Sequence, residues 1–245
     1  MSVLTAENLN IAYGRRQILE NTSFSVEKGE TLVIAGLSGS GKTTLCHALC
    51  GLIPRVLHTR FSGRVSMAGE DIKNYSLFDL ATAVGLVFQD ADTQIICTQV
   101  EDELAFGLEN LCVPPAEIRS RVDAMLRRFG LWDLRHENPA RLSGGQKRLV
   151  TLASVLILEP RVLILDEPMT TLDASGKALV YRTIADLRLE GRTLIIVEHD
   201  LQRVTWADRW LILADGRVAA LESPLNLMEN PAGLRELGLW PEGGV

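Results

Sequence analysis

Gly36, Leu37, Ser38, Gly39, Ser40, Gly41, Lys42 and Thr43 follow the apolar run TLVIA and open a stretch of helical character, residues 44–52. The spacing G-x-x-x-x-G-K-T between a strand and a helix is that of a loop that wraps phosphate. Glycines admit backbone conformations that aim several N–H groups inward, and the helix start adds partial positive charge. Lys42 has the reach for the β- and γ-phosphates of a nucleotide, and the Thr43 hydroxyl is an oxygen ligand for Mg²⁺. A second chemical group closes another apolar run: VLIL leads into Asp166 and Glu167. Neighbouring side chains on a strand point to opposite sides, so Asp166 is expected to face the metal and Glu167 the attacking water. A carboxylate that polarises the nucleophile typically accelerates attack by about 10²–10⁴-fold. The third group is Ser143, Gly144, Gly145 and Gln146: a serine cap, then glycines that leave helix-start N–H groups accessible to an anion.

These groups need a rigid frame, and the hydropathy pattern supplies one. Residues 31–35, 84–88, 162–165 and 193–197 are nearly continuous apolar runs, as expected of strands buried on both faces of a parallel sheet. Alternating with helical patterns, they read as βαβ units of an α/β fold. Residues 3–13 and 22–26 alternate in part and are expected to be half-exposed antiparallel strands. From about residue 100 to 149 helical periodicity takes over, with Val100, Leu104 and Leu108 on one stripe and Ile118, Val122, Met125 and Phe129 on another. Residues 114–148 hold eight Lys or Arg and four Asp or Glu, a locally positive surface that is either solvated or a docking face.

Composition narrows the partners. The chain has 245 residues and a net charge of −6, which argues against a nucleic-acid binder working through bulk positive charge. Its longest uncharged apolar stretch, residues 149–158, is about half the roughly 20 residues of a membrane-spanning helix. The start, MSVLTAENLN, lacks the basic and apolar regions of a secretory leader. Cys46, Cys50, Cys97 and Cys112 form no metal-like array and are expected to be reduced and packed.

With the phosphate loop upstream and the strand-plus-acids downstream, LSGGQ resembles the signature of ABC-type ATPases, the nucleotide-binding subunits of ABC transporters. The resemblance runs over residues 3–221, nearly the whole chain. It implies a P-loop NTPase core with a mostly parallel sheet, an N-terminal antiparallel β subdomain and a helical insertion. Residues 1–245 would then be one ATPase domain: 1–99 and 150–221 the nucleotide-binding core, 100–149 the helical signature subdomain, and 222–245 a short tail. The cofactors implied are ATP and Mg²⁺, with Thr44 joining the loop residues at the phosphates and Thr43, Gln89 and Asp166 at the metal. Lys42, Gln89, Glu167 and His199 take the catalytic roles: Gln89 as the Q-loop glutamine and His199 as the switch histidine at the γ-phosphate. Tyr13 would stack on adenine, a contact worth about 1–3 kcal/mol by analogy with base stacking. Asp173 matches the D-loop aspartate, although Thr170-Thr171 stands where the family has Ser-Ala. His47, His58 and His136 match no family position and are expected to be structural or surface residues.

In this family the signature binds ATP held by the opposite subunit's P-loop. One chain with one of each therefore implies a second ATPase cassette, as a homodimer or as a pair with a related chain. Gln94 and the ED-E-LAFG-ENL pattern over 101–111 are similar to the ATPases of energy-coupling factor (ECF) importers of vitamins or transition-metal ions, as is LRELGL over 234–239. That implies peripheral attachment to the cytoplasmic face of the membrane through integral subunits, with Gln94 and residues 101–103 on the docking face and no nucleic-acid partner. Another ABC importer or exporter, or a soluble ABC ATPase acting on ribosomes or DNA, stays open. The soluble class loses weight because this chain has one cassette and no room for a long coiled coil between Gly36 and Ser143.

Overall fold

The computed structural model describes residues 2–241. Two sheets face each other. The first is antiparallel, in the order β2-β1-β4-β5, from β1 (Ser2–Tyr13), β2 (Arg16–Glu27), β4 (Arg60–Met67) and β5 (Glu70–Asp71). The second has the order β10-β9-β3-β8-β7-β6, from β3 (Thr31–Ala35), β6 (Val84–Val87), β7 (Val162–Asp166), β8 (Thr193–Val197), β9 (Arg209–Ala214) and β10 (Arg217–Glu222). All its pairings are parallel except that of the edge strand β10, which runs antiparallel to β9.

The continuous apolar runs are explained by two cores, one on each face of the parallel sheet. Val33, Leu163, Leu165, Leu194 and Ile196 join one core; Leu32, Ile34, Ile164, Ile195 and Val197 join the other. The second core is closed by the antiparallel sheet and by α1 (Lys42–Leu49). Helices close the first: α4 (Val100–Asn110), α5 (Pro115–Arg128), α6 (Gly144–Leu156) and α7 (Ala174–Leu189). Three short helices add to these cores: α2 (Leu52–Arg55) through Ile53 and α3 (Leu77–Ala83) through Leu80 and Ala83 join the second, and Leu227 and Met228 of α8 (Pro224–Glu229) pack against the first. A last one, α9 (Ala232–Glu236), buries Leu234 in the first core.

Three boundaries differ from expectation. The helix after the phosphate loop begins at Lys42 and ends at Leu49 rather than spanning 44–52, because Gly51 takes a left-handed conformation. β2 starts at Arg16, well before residue 22, since pairing with β1 extends the strand through mostly exposed positions in which buried Leu19 and half-buried Ile18 are adjacent and do not alternate. The hairpin β9–β10 lies where no strand was expected, although Asp215-Gly216, both at positive φ, is a turn that suits a tight hairpin. In addition α6 runs unbroken across residues 149–150, so one rigid helix carries the signature at its start and core packing at its end. Leu104 on α4 is fully buried in the core that α4 shares with α6. Leu104→Ala should therefore lower unfolding free energy by about 2–5 kcal/mol, measured by denaturant titration.

Candidate active site

β3 ends at Ala35 and the loop follows at once. A Cβ on Gly36 would sit 2.2 Å from the Leu213 carbonyl oxygen and 2.6 Å from Ser40 Oγ, so the backbone there passes too close to β9 for any side chain. Gly41, at φ 105°, begins α1, and a Cβ would lie 2.8 Å from Leu19. Lys42 is buried; its Nζ donates to the carbonyls of Gly36 at 2.8 Å and Leu37 at 2.9 Å. Burial pulls its pKa below the usual lysine value, opposed by the charges of Glu167 and Asp166.

The loop borders a cavity of about 720 Å³ lined also by Thr43, Thr44, Gln89, Glu167 and His199. Asp166, the last residue of β7, is only 2% exposed. Desolvation raises its pKa, while a hydrogen bond from the Thr43 hydroxyl works the other way. Its Oδ1 finds no hydrogen-bond partner among the described residues. Glu167 is aimed differently from expectation. The strand stops at Asp166, and Glu167 has φ 46°, so a left-handed turn rather than strand alternation directs its carboxylate. There Glu167 Oε2 accepts hydrogen bonds from Gln89 Nε2 and from Thr170 Oγ1, both at 3.0 Å. Thr170 keeps a hydroxyl where the family has serine, and that hydroxyl is the partner of Glu167. His199 is exposed, with Nδ1 3.3 Å from Glu198 Oε1, and lines the same cavity.

The oxygens of Thr43, Asp166 and Gln89 suit Mg²⁺, a hard cation that takes few protein ligands and completes its shell with phosphate and water. The orphaned Asp166 oxygen is in keeping with that fit, and no cluster of three or more His, Cys, Asp or Glu competes for a metal among the described residues.

The signature residues stand apart. None of Ser143, Gly144, Gly145 and Gln146 lines this cavity. Ser143 caps α6 in a reciprocal box: Gln146 N donates to Ser143 Oγ and Ser143 N to Gln146 Oε1. Gly145 has a second reason to be glycine, because its Cβ would lie 2.8 Å from the Gly176 Cα where α6 crosses α7. Asp173 is the cap of α7, accepting from Gly176 N at 2.7 Å. Tyr13 ends β1, exposed, and the cavity wall on that side is formed by Arg16 and Ile18.

Several residues escaped sequence reasoning. Gly238 and Leu239, the end of the LRELGL segment, line the cavity, a place that the resemblance of that segment did not imply. Arg148 is buried on α6 and donates to the main chain of the Q-loop; a charge on an apolar helix face was the available signal. Two residues expected on a docking face are committed internally. Gln94 accepts from Phe88 N at 3.0 Å and donates to Leu86 O at 3.1 Å, and buried Glu103 accepts from the N–H groups of Ile96 and Cys97. The cysteines are unpaired, yet Cys112 is exposed rather than packed. His47 is half-buried against the edge of Phe88, and His136 pairs with Glu101 at 2.9 Å.

Comparison with known proteins agrees with this geometry. A family model described as ABC transporter matches residues 19–170. A putative ABC transporter ATP-binding protein of Pyrococcus abyssi is 40% identical over 98% of this chain and 87% of its own length. The energy-coupling factor transporter ATP-binding protein EcfA1 of Streptococcus thermophilus is 36% identical over 97% of this chain and 86% of its own length. Among solved structures, cbiO1 of Clostridium perfringens, part of the ABC transporter complex cbiONQ, aligns with a TM-score of 0.81 and 34% identity, covering 97% of this chain and 95% of that one. The chain belongs to the ABC transporter family, as an ATP-hydrolysing, ATP-binding subunit. Within the family it is related to the ATPases of energy-coupling factor transporters and to cbiO1.

Gln94 bridges two strand-end main-chain groups from a half-buried position, so its first role is to hold the loop. Gln94→Ala should lower stability by about 1–3 kcal/mol in chemical denaturation, as expected when buried partners lose their hydrogen bonds.

Proposed function

We propose that this chain powers an importer of the energy-coupling factor kind, carrying a vitamin or a transition-metal ion, as one half of a head-to-tail pair of cassettes. The observation that carries the reading is the division of labour within one chain. Lys42, Gln89, Glu167 and His199 meet around one cavity, while residues 143–145 are not part of its lining. A second cassette, a copy or a related chain, would complete each site with its own signature. Likeness to EcfA1 and to cbiO1 supports the importer class.

In this reading the triphosphate enters between the loop and Gln89. Lys42 exchanges its contacts with the Gly36 and Leu37 carbonyls for phosphate oxygens, which restores a full counter-charge to a desolvated amine. Thr43, Asp166 and Gln89 would hold a Mg²⁺ ion, whose chemistry there would be to neutralise phosphate charge. Glu167 accepts the proton of a water as its oxygen forms a bond to the γ-phosphorus and the bond to the β-phosphate oxygen breaks. ADP and phosphate leave, and the bridge to the partner's signature goes with them. Work is extracted because the closed pair binds ATP more tightly than the open one.

No helix among the described residues is long and apolar enough to cross a membrane. Likeness to cbiO1, part of the ABC transporter complex cbiONQ, supports attachment at the cytoplasmic face through integral subunits. Ile96 and Phe106, exposed apolar side chains on the segment and helix after Gln89, support a docking face there.

Glu167→Gln should still bind ATP and accumulate as a dimer by light scattering, with turnover reduced by about 10²–10⁴-fold; hydrolysis at the wild-type rate would remove Glu167 from its role. Affinity purification of the tagged chain from detergent-solubilised membranes should recover integral membrane subunits. Recovery with ribosomes or DNA instead would overturn the transport reading.

A further inference from the structure

α6 leaves the signature with a buried face of Gly145, Arg148, Leu149, Leu152 and Leu156. Arg148 is the one charged side chain on that face, and it is 2% exposed. Its two terminal nitrogens donate to successive main-chain carbonyls, those of Phe88 and Gln89, and among the described residues no carboxylate pairs with it. Beside it, Lys147 Nζ lies 2.6 Å from Asp92 Oδ1, on the same loop. The start of α6 therefore grips residues 88–92 at two points, and Gln94 ties that loop back to β6. Gln89, whose main chain Arg148 holds, donates from its side chain to Glu167 at 3.0 Å.

A cation removed from water and hydrogen-bonded only to main-chain carbonyls is unfavourable; burial lowers the Arg148 pKa although the charges of Asp90 and Asp166 oppose it, and an apolar side chain would fill this helix face without that cost. A planar guanidinium also presents a fixed fork of donors, which a lysine does not. What the arginine achieves here is geometric: the backbone of Gln89 is fastened to the helix whose first turn is the signature.

We propose that Arg148 is a positioning residue that links the signature helix to Glu167 of the same chain through Gln89. Capture of a partner's nucleotide at residues 143–145 would then register on the water-activating carboxylate of the chain that made the capture. The two sites of a pair are coupled by this route as well as by the shared nucleotides. The inference rests on the two-cassette reading above.

The test uses the full-length chain in its paired form, comparing Arg148→Met, Arg148→Lys, Gln89→Ala and the Gln89→Ala/Arg148→Met double variant. ATP turnover, affinity for a fluorescent ATP analogue and thermal midpoint are measured for each. Arg148→Met should lower kcat by about tenfold to a hundredfold, the usual range for loss of a group that orients a reacting one, with nucleotide affinity changed less than about twofold. Arg148→Lys, which keeps the charge and a single donor group, should recover part of that loss. Because Arg148 acts through Gln89, the double variant should be no slower than Gln89→Ala alone. Turnover of Arg148→Met equal to wild type, a fall in kcat matched by lost affinity, or multiplying losses in the double variant would each overturn the inference. A wild-type pair that hydrolyses ATP while these outcomes occur sinks this inference alone. A wild-type pair that fails to hydrolyse ATP sinks the proposed function with it.

Discussion

The hydrogen-bonded register of the parallel strands is the constraint on which the chemistry of this protein depends. Val87 pairs with Leu165, Asp166 with Val197 and Ile34 with Val197, so the carboxyl ends of β6, β7, β8 and β3 finish on one edge of the sheet. Each end leads into a part of the candidate site: Gln89, Asp166 and Glu167, His199, and the glycine loop. Parallel sheets collect sites at such edges because every strand delivers its following loop to the same side. Burial on both faces makes slippage costly, since a one-residue shift would exchange the residues of the two cores.

That frame holds groups in states they would not adopt in water. Lys42 and Asp166 are both desolvated, and their shifts run in the directions that bring a neutral amine and a neutral acid closer. Main-chain carbonyls satisfy the one, and a threonine hydroxyl partly satisfies the other. In the proposed function a polyphosphate with its metal ion would answer both imbalances together. Glu167 is arranged by different means: a left-handed backbone turn, not burial, presents it to Gln89 and Thr170.

Rigid linkage is the second theme. α6 begins with a capped signature, crosses α7 at a glycine–glycine contact, grips the loop after β6 and ends inside the core. Residues 88–97 are also stitched to their surroundings by Gln94 and Glu103, two polar side chains that face inward although they resemble surface residues in the primary structure.

The glycine loop, the acids after VLIL and LSGGQ were legible from local spacing, because phosphate binding and helix capping act over a few neighbouring residues. The buried parallel strands were legible for a related reason: a strand covered on both faces must be apolar at nearly every position. What local order could not express is proximity between distant segments. The contact of Gln89 with Glu167, the grip of Arg148 on the Q-loop and the approach of Gly238 and Leu239 to the cavity span stretches of chain that only sheet order and helix packing bring together. The inward commitment of Gln94 and Glu103 and the left-handed turn at Glu167 belong to the same class. The amino-acid order by itself determined the class of chemistry and the strands that frame it. Tertiary structure decided which polar groups gather at the candidate site and which are spent on the fold, because a hydrogen bond needs its partner in place and the packing of the whole chain supplies it.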